Sequence, residues 1–269
     1  MKKYNYIYIN TTTKGKLRMG NSGGKKRSTG RLTVILAVVF VLAAGSFFFA
    51  IYHLSDRSIP LYGRMTPELC DSELYEDMQS GRSFCFIGDS ITYGSVTNGI
   101  GWYEPMRPYI NGDIFEFAAG GWTTRSLIER RNEIPAADIY VIAIGINDVK
   151  YVEYGITEDE YISNLQSLLE HLMLVSPGAK MYFISPWVLW NHPDDIISRR
   201  TEFCEALSSW CDGAGRLYVD PYPIIMSVLE KEGADRYMYN DFHPNSPDGV
   251  GLFSYSVLQA DHMRREGSA

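Results

Sequence analysis

Four separated clusters in this sequence carry residue types that do acyl chemistry together. The first is Phe86-Ile87-Gly88-Asp89-Ser90-Ile91-Thr92-Tyr93-Gly94. A Ser there follows an apolar run and opens a turn, so its hydroxyl stands clear of the strand as a candidate nucleophile. The second is Ala118-Ala119-Gly120-Gly121-Trp122-Thr123-Thr124. Gly121 has no side chain to keep its N–H from a substrate oxygen. The third is Gly145-Ile146-Asn147-Asp148, where the Asn147 amide can donate to an oxyanion. The fourth is Asn240-Asp241-Phe242-His243-Pro244-Asn245. A His in such a polar loop is a candidate general base. His171 and His262 fall in helical stretches and His53 at the end of an apolar run, so they suit that role less well; His192, in a Trp- and Pro-containing loop that can line a cleft, is the competing candidate.

These residues need elements to position them. Short apolar runs recur at Phe84–Ile87, Ile114–Phe117, Ile139–Ile144, Met181–Ile184 and Leu217–Val219. Each is bounded by turn-forming residues and reads as a strand. Helical patterns lie between them, near Gly101–Ile110, Thr124–Arg131, Glu158–Val175, Ile196–Cys211 and Pro223–Glu232, and a last one spans Gly249–Arg264. Pro105 and Pro108 weaken the first. Thr157 and Glu160 have capping-box spacing. Strands alternating with helices predict a parallel sheet covered on both faces, with ligands bound beyond the carboxyl ends of the strands. Three of the four clusters directly follow a predicted strand.

The charge is divided. Of 25 basic residues, nine lie in residues 1–31 with no acidic residue, which leaves 16 against 32 acidic ones in the remainder. An acidic body excludes nucleic acid as its partner. Between the two regions, Leu32–Leu54 contains no Asp, Glu, Lys or Arg and is long enough to cross a hydrocarbon core of roughly 30 Å. We expect a basic cytoplasmic tail at 1–31, a transmembrane signal-anchor at 32–54, a linker and lead-in segment at 55–80 and a catalytic domain at 81–269. The basic flank keeps the N-terminus cytoplasmic and places the catalytic domain extracellular, outside the cell membrane. A cleaved signal peptide is the alternative, although its apolar region is usually only ~7–15 residues. Cys204 and Cys211 lie about two helical turns apart, too far to bridge each other. None of the four cysteines has zinc-site spacing.

Taken in order, Ser90, Gly121, Asn147 and His243 resemble the four blocks of the SGNH superfamily, also called GDSL-type hydrolases. The resemblance covers about residues 83–265. It implies a flavodoxin-like three-layer sandwich with a five-stranded parallel sheet. It implies serine esterase or deacetylase activity through an acyl-enzyme, with Ser90 as nucleophile, His243 as base and an oxyanion hole from Ser90, Gly121 and Asn147. No metal or organic cofactor is implied. The family usually carries Asp three residues before the His. That position is Asn240 here, and the carboxylate is Asp241, so either residue is a candidate for orienting His243. An exported, anchored enzyme of this type would act on acylated carbohydrate or another small ester. Polysaccharide O-acyl transfer and non-catalytic carbohydrate binding are the competing expectations. Trp102, Tyr103, Trp122, Trp187 and Trp190 either rim the site for sugar stacking or pack its loops.

Overall fold

The computed structural model describes residues 60–63, 65–212 and 216–267. The chain divides into two compact units, Met1–Arg57 and Ser58–Ala269. The first, with the expected tail and anchor, lies outside the described residues. Among the described residues, no helix is long and apolar enough to cross a membrane.

Five strands form one parallel sheet in the order β2-β1-β3-β4-β5: β1 (Phe84–Gly88), β2 (Ile114–Ala118), β3 (Ile139–Ala143), β4 (Lys180–Ile184) and β5 (Leu217–Val219). This is the doubly wound order expected of a flavodoxin-like sheet. Both β1 and β3 are buried at every position, so their uniformly apolar sequences suit strands covered on both faces. Edge strand β2 alone presents exposed residues, Phe115 and Glu116.

The helices form two groups, each packed within itself. One contains α4 (Thr124–Glu129), α5 (Ile146–Lys150), α6 (Glu158–Val175) and α7 (Asp194–Asp212). The other contains α1 (Pro67–Cys70), α2 (Glu73–Gln79), α8 (Tyr222–Glu232) and α9 (Asp248–Gly267). A four-residue helix, α3 (Ser90–Tyr93), follows β1. In α6, Tyr161, Leu165, Leu168 and Leu172 form the buried stripe, and Thr157 caps the start by accepting from the Glu160 N–H at 3.2 Å. The proline-containing stretch at 101–110 becomes a 3₁₀ segment, Glu104–Tyr109, because Pro108 removes a donor that an α-helix needs.

Residues 67–79, expected within a linker and lead-in segment, form α1 and α2 instead. Thr66 and Ser72 cap them, and Leu69, Leu74 and Met78 are fully buried. Asp261 of α9 accepts from the Leu74 N–H at 2.7 Å. Further upstream, residues 60–62 lie along α9, where the Tyr62 N–H donates to the Gly251 carbonyl at 3.1 Å. A Cβ on residue 251 would stand 2.4 Å from the Pro60 carbonyl oxygen, so this approach requires glycine. The Tyr62 ring packs edge-on against Tyr237 and Tyr255.

Candidate active site

Ser90 is the first residue of α3, immediately past the end of β1. Asp89 caps that turn by accepting from the Ile91 N–H at 2.9 Å, leaving the Ser90 hydroxyl free to point elsewhere. That hydroxyl meets His243: Oγ and Nε2 are 2.8 Å apart, although the residues are 153 positions apart in sequence. Both side chains are largely buried.

His243 owes its place to a compact loop. Met238 and Pro244 form an antiparallel bridge, the Tyr239 N–H donates to the His243 carbonyl at 2.9 Å, and the Asn245 N–H donates to the Tyr237 carbonyl at 2.8 Å. Asn245 then accepts from the Gly249 N–H at 2.9 Å and fastens the loop to α9. Asn240 is bound from inside the loop. Its Oδ1 accepts from the N–H of Phe242 at 3.1 Å and of His243 at 2.8 Å. Its Nδ2 lies 3.1 Å from His243 Nδ1.

Asp241 turns the other way. Its carboxylate lies 2.5 Å from His192 Nε2 and 3.5 Å from Lys150 Nζ. The structure therefore places Asn240, not Asp241, against the imidazole. His192, the other loop histidine, pairs with Asp241 and not with Ser90. The reason is geometric: at position i−3 the loop directs a side chain toward the ring, whereas residue 241 faces α5 and the loop after β4. Lys150 also stacks on the Phe242 ring, 3.6 Å from its centroid. Burial and, after it, the Lys150 charge bring the His243 pKa down to about 4, and Asp241 opposes this weakly.

The expected oxyanion donors stand on neighbouring loops. Gly121 adopts φ +77°, a conformation other residues reach only with strain. It is exposed and lines a cleft of about 240 Å³ with Thr123, Arg125, Ser126, Tyr154 and Ile156. Asn147 is buried in the first turn of α5. Its Nδ2 donates to the Trp122 carbonyl at 2.8 Å, which leaves the second N–H of the amide for another acceptor. Asp148 ties the two loops together. Both its oxygens lie 3.1 Å from the Thr124 N–H, and it also accepts from the Thr124 hydroxyl. Burial raises Asp148 to about 6 and Asp89 to about 7.

The aromatic residues divide as well. Trp102, Tyr103 and Trp187 are buried and pack the loops, so they cannot form a sugar-stacking rim. The Trp102 indole donates to Thr92 at 3.1 Å and its ring packs on Trp187. Trp122 and Trp190 remain partly exposed. Sequence patterning did not reveal the His192–Asp241–Lys150 cluster, which joins the end of α5 to two loops. No group of His, Cys, Asp or Glu among the described residues has metal-site geometry. The four cysteines are free thiols.

Residues 86–247 match the model of the GDSL-like Lipase/Acylhydrolase family. Among solved structures, the chain is similar to Axe2, an acetylxylan esterase from Geobacillus stearothermophilus. The two share 22% identity over 69% of this chain and 96% of that one, with a TM-score of 0.59. A GDSL-like lipase structure from Parabacteroides merdae is 19% identical over 68% of this chain and 97% of that one, also at a TM-score of 0.59. No curated protein sequence matches the chain. With the matched segment running from β1 through the His243 loop, this chain belongs to the GDSL-like lipase/acylhydrolase family and is a serine hydrolase of ester bonds.

Proposed function

We propose that the chain is a carbohydrate esterase or deacetylase, anchored in the membrane by residues 32–54 with its catalytic domain outside the cytoplasm. Ser90 is the nucleophile and His243 the base. The observation that carries the assignment is the 2.8 Å contact between Ser90 Oγ and His243 Nε2. As His243 takes the hydroxyl proton, Oγ attacks the ester carbonyl carbon and the carbonyl electron pair moves to oxygen. The N–H groups of Ser90 and Gly121 and the free N–H of Asn147 receive that oxyanion. The alcohol leaves with the proton from His243, and water then releases the acyl group by the reverse sequence.

The acetyl-sugar reading is supported by the structural likeness to an acetylxylan esterase. Solved forms of that protein include catalytic mutants in which an Asp, a Ser or a His is replaced by Ala, the Asp three residues before the His. Asn240 stands at that spacing from His243. The location rests on the basic tail and the uncharged run that follows it.

Hydrolysis of an aryl acetate and of acetylated xylooligosaccharide by the full-length chain tests the reading. Ser90→Ala and His243→Ala should each abolish turnover of both substrates. Retained hydrolysis in Ser90→Ala would sink the assignment. Protease added to intact cells should digest the catalytic domain and spare the tail.

A further inference from the structure

The hydrogen bonds around Asn240 fix more than the position of the imidazole. Oδ1 faces two backbone N–H groups, those of Phe242 and His243. Both are donors, so the atom they meet is the amide oxygen. The NH₂ of the same amide therefore faces His243 Nδ1. An amide NH₂ only donates, so Nδ1 offers its lone pair. In the neutral ring the proton then resides on Nε2, pointing at Ser90 Oγ. In that tautomer the ring has no lone pair with which to take the serine proton.

We propose that Asn240 is a positioning residue that holds His243 in the Nε2–H tautomer, so that the resting enzyme is restrained at its general-base step and is released by a carboxylate at position 240. The inference rests on Ser90 and His243 being the reacting pair. For catalysis the ring proton must first move from Nε2 to Nδ1. The Ser90 O–H bond then breaks as the Nε2–H bond and the Oγ–carbonyl bond form. The imidazolium so produced points an Nδ1–H at the Asn240 NH₂, donor against donor. Turning the amide over relieves that clash but sets its NH₂ against the two backbone N–H groups. Either arrangement leaves donors facing donors where the exposed Asn240 amide meets the buried His243 ring.

The charges around the ring add to the restraint. Lys150 of α5 is the cation bearing on it. Asp241 of its own loop is the anion, but it is already engaged by Lys150 and by His192 of the loop after β4. An aspartate at position 240 removes the conflict. One of its oxygens keeps the two backbone hydrogen bonds, and the other accepts Nδ1–H and stabilises the imidazolium.

The test uses the full-length chain and its Asn240→Asp variant. Exchanging the orienting carboxylate for an amide costs about 10⁴ in kcat where the wrong tautomer results, so the reverse change should raise aryl-acetate turnover by at least ~100-fold. The variant should also acquire an ascending limb in its rate profile between about pH 5 and pH 8, because a carboxylate beside the ring raises its pKa. The parent enzyme should be flat across that range. Nitrogen-15 NMR of labelled histidine, with His243 assigned from its loss in His243→Gln, should show Nε2 protonated in the parent and Nδ1 protonated in Asn240→Asp. A parent ring protonated at Nδ1, or a folded Asn240→Asp variant no faster than the parent, would overturn the proposal. Failure of the underlying assignment reads differently: adding Ser90→Ala would then leave the turnover of Asn240→Asp intact, whatever the tautomer.

Discussion

At the scale of single residues, the setting of His243 depends on Lys150, Asp241 and His192. Lys150 lies over the Phe242 ring and pushes the His243 pKa down, while Asp241 divides its charge between Lys150 and His192. Removing the cation should therefore make His243 more basic. In Lys150→Met, the pH below which activity falls should rise from near 4 but stay short of the ordinary imidazole value, because burial is the larger cause of the depression, and a pH–rate profile for ester hydrolysis reads this directly. Asp241→Ala acts in the opposite direction, leaving Lys150 less neutralised beside the ring. Because Asp241 makes no contact with Nδ1, we expect a loss in kcat of less than about tenfold, far short of the ~10⁴ that removal of an orienting carboxylate brings. A loss approaching that size would show that Asp241 moves to the ring during turnover. The candidates Ser90, Gly121, Asn147 and His243 could be named from the sequence because each follows a strand or precedes the last helix. The partner of His243 could not. Asn240 and Asp241 are adjacent in the chain, and only the winding of the loop decides which faces the ring.

At the scale of elements, the loops that carry the site are joined by buried polar ties. Asp148, at the start of α5, accepts from both the N–H and the hydroxyl of Thr124 at the start of α4. Asp148→Ala leaves those donors unpaired in the interior. Each such group costs ~1–3 kcal/mol, so urea denaturation should show a loss of roughly 2–6 kcal/mol for the two. Turnover should fall too, because the Gly121 and Asn147 loops lose their common anchor. Arg200 plays the corresponding part on the other side. Its Nε lies 2.8 Å from the Pro186 carbonyl and 2.9 Å from that of Trp187, and its guanidinium stacks on Tyr222 at 3.7 Å. The five strands and the long helices were legible in the sequence because apolar periodicity persists over enough residues to be read. Helices α3 and α5 were not, since four or five residues make too little of a period. Helices α1 and α2 escaped for the same reason, despite Leu69, Leu74 and Met78. The capping residues Thr66 and Ser72 were the signal that could have found them.

At the scale of the whole molecule, two buried carboxylates make the fold sensitive to pH. Asp89 is raised to about 7 and Asp148 to about 6, chiefly by burial. An acid whose pKa is higher folded than unfolded binds its proton more tightly in the native state. Its stabilising contribution is full below the unfolded value near 4 and is lost as the pH rises through about 6 to 7. Asp89→Asn should therefore unfold with nearly the parent's free energy at pH 4, and gain on the parent by roughly 2–4 kcal/mol at pH 8. Paired urea titrations at the two pH values would measure this. An equal difference at both would show that Asp89 does not titrate in this range. Sequence reading reached the sheet's strand count and parallel sense, but no pattern in one chain reveals which carboxylates the packing desolvates.

The path of residues 60–62 along α9 gives the molecule a mechanical property. Tyr62 is hydrogen-bonded to Gly251 and packed on Tyr237, and Tyr237 is the residue whose carbonyl closes the loop bearing His243. The packing of residues 60–62 is thus continuous with the base of that loop. Order in residues 60–62 and in that loop should be linked through this strap: Tyr62→Ala should speed hydrogen exchange at residues 237–245 while leaving that of β1 and β3 unchanged.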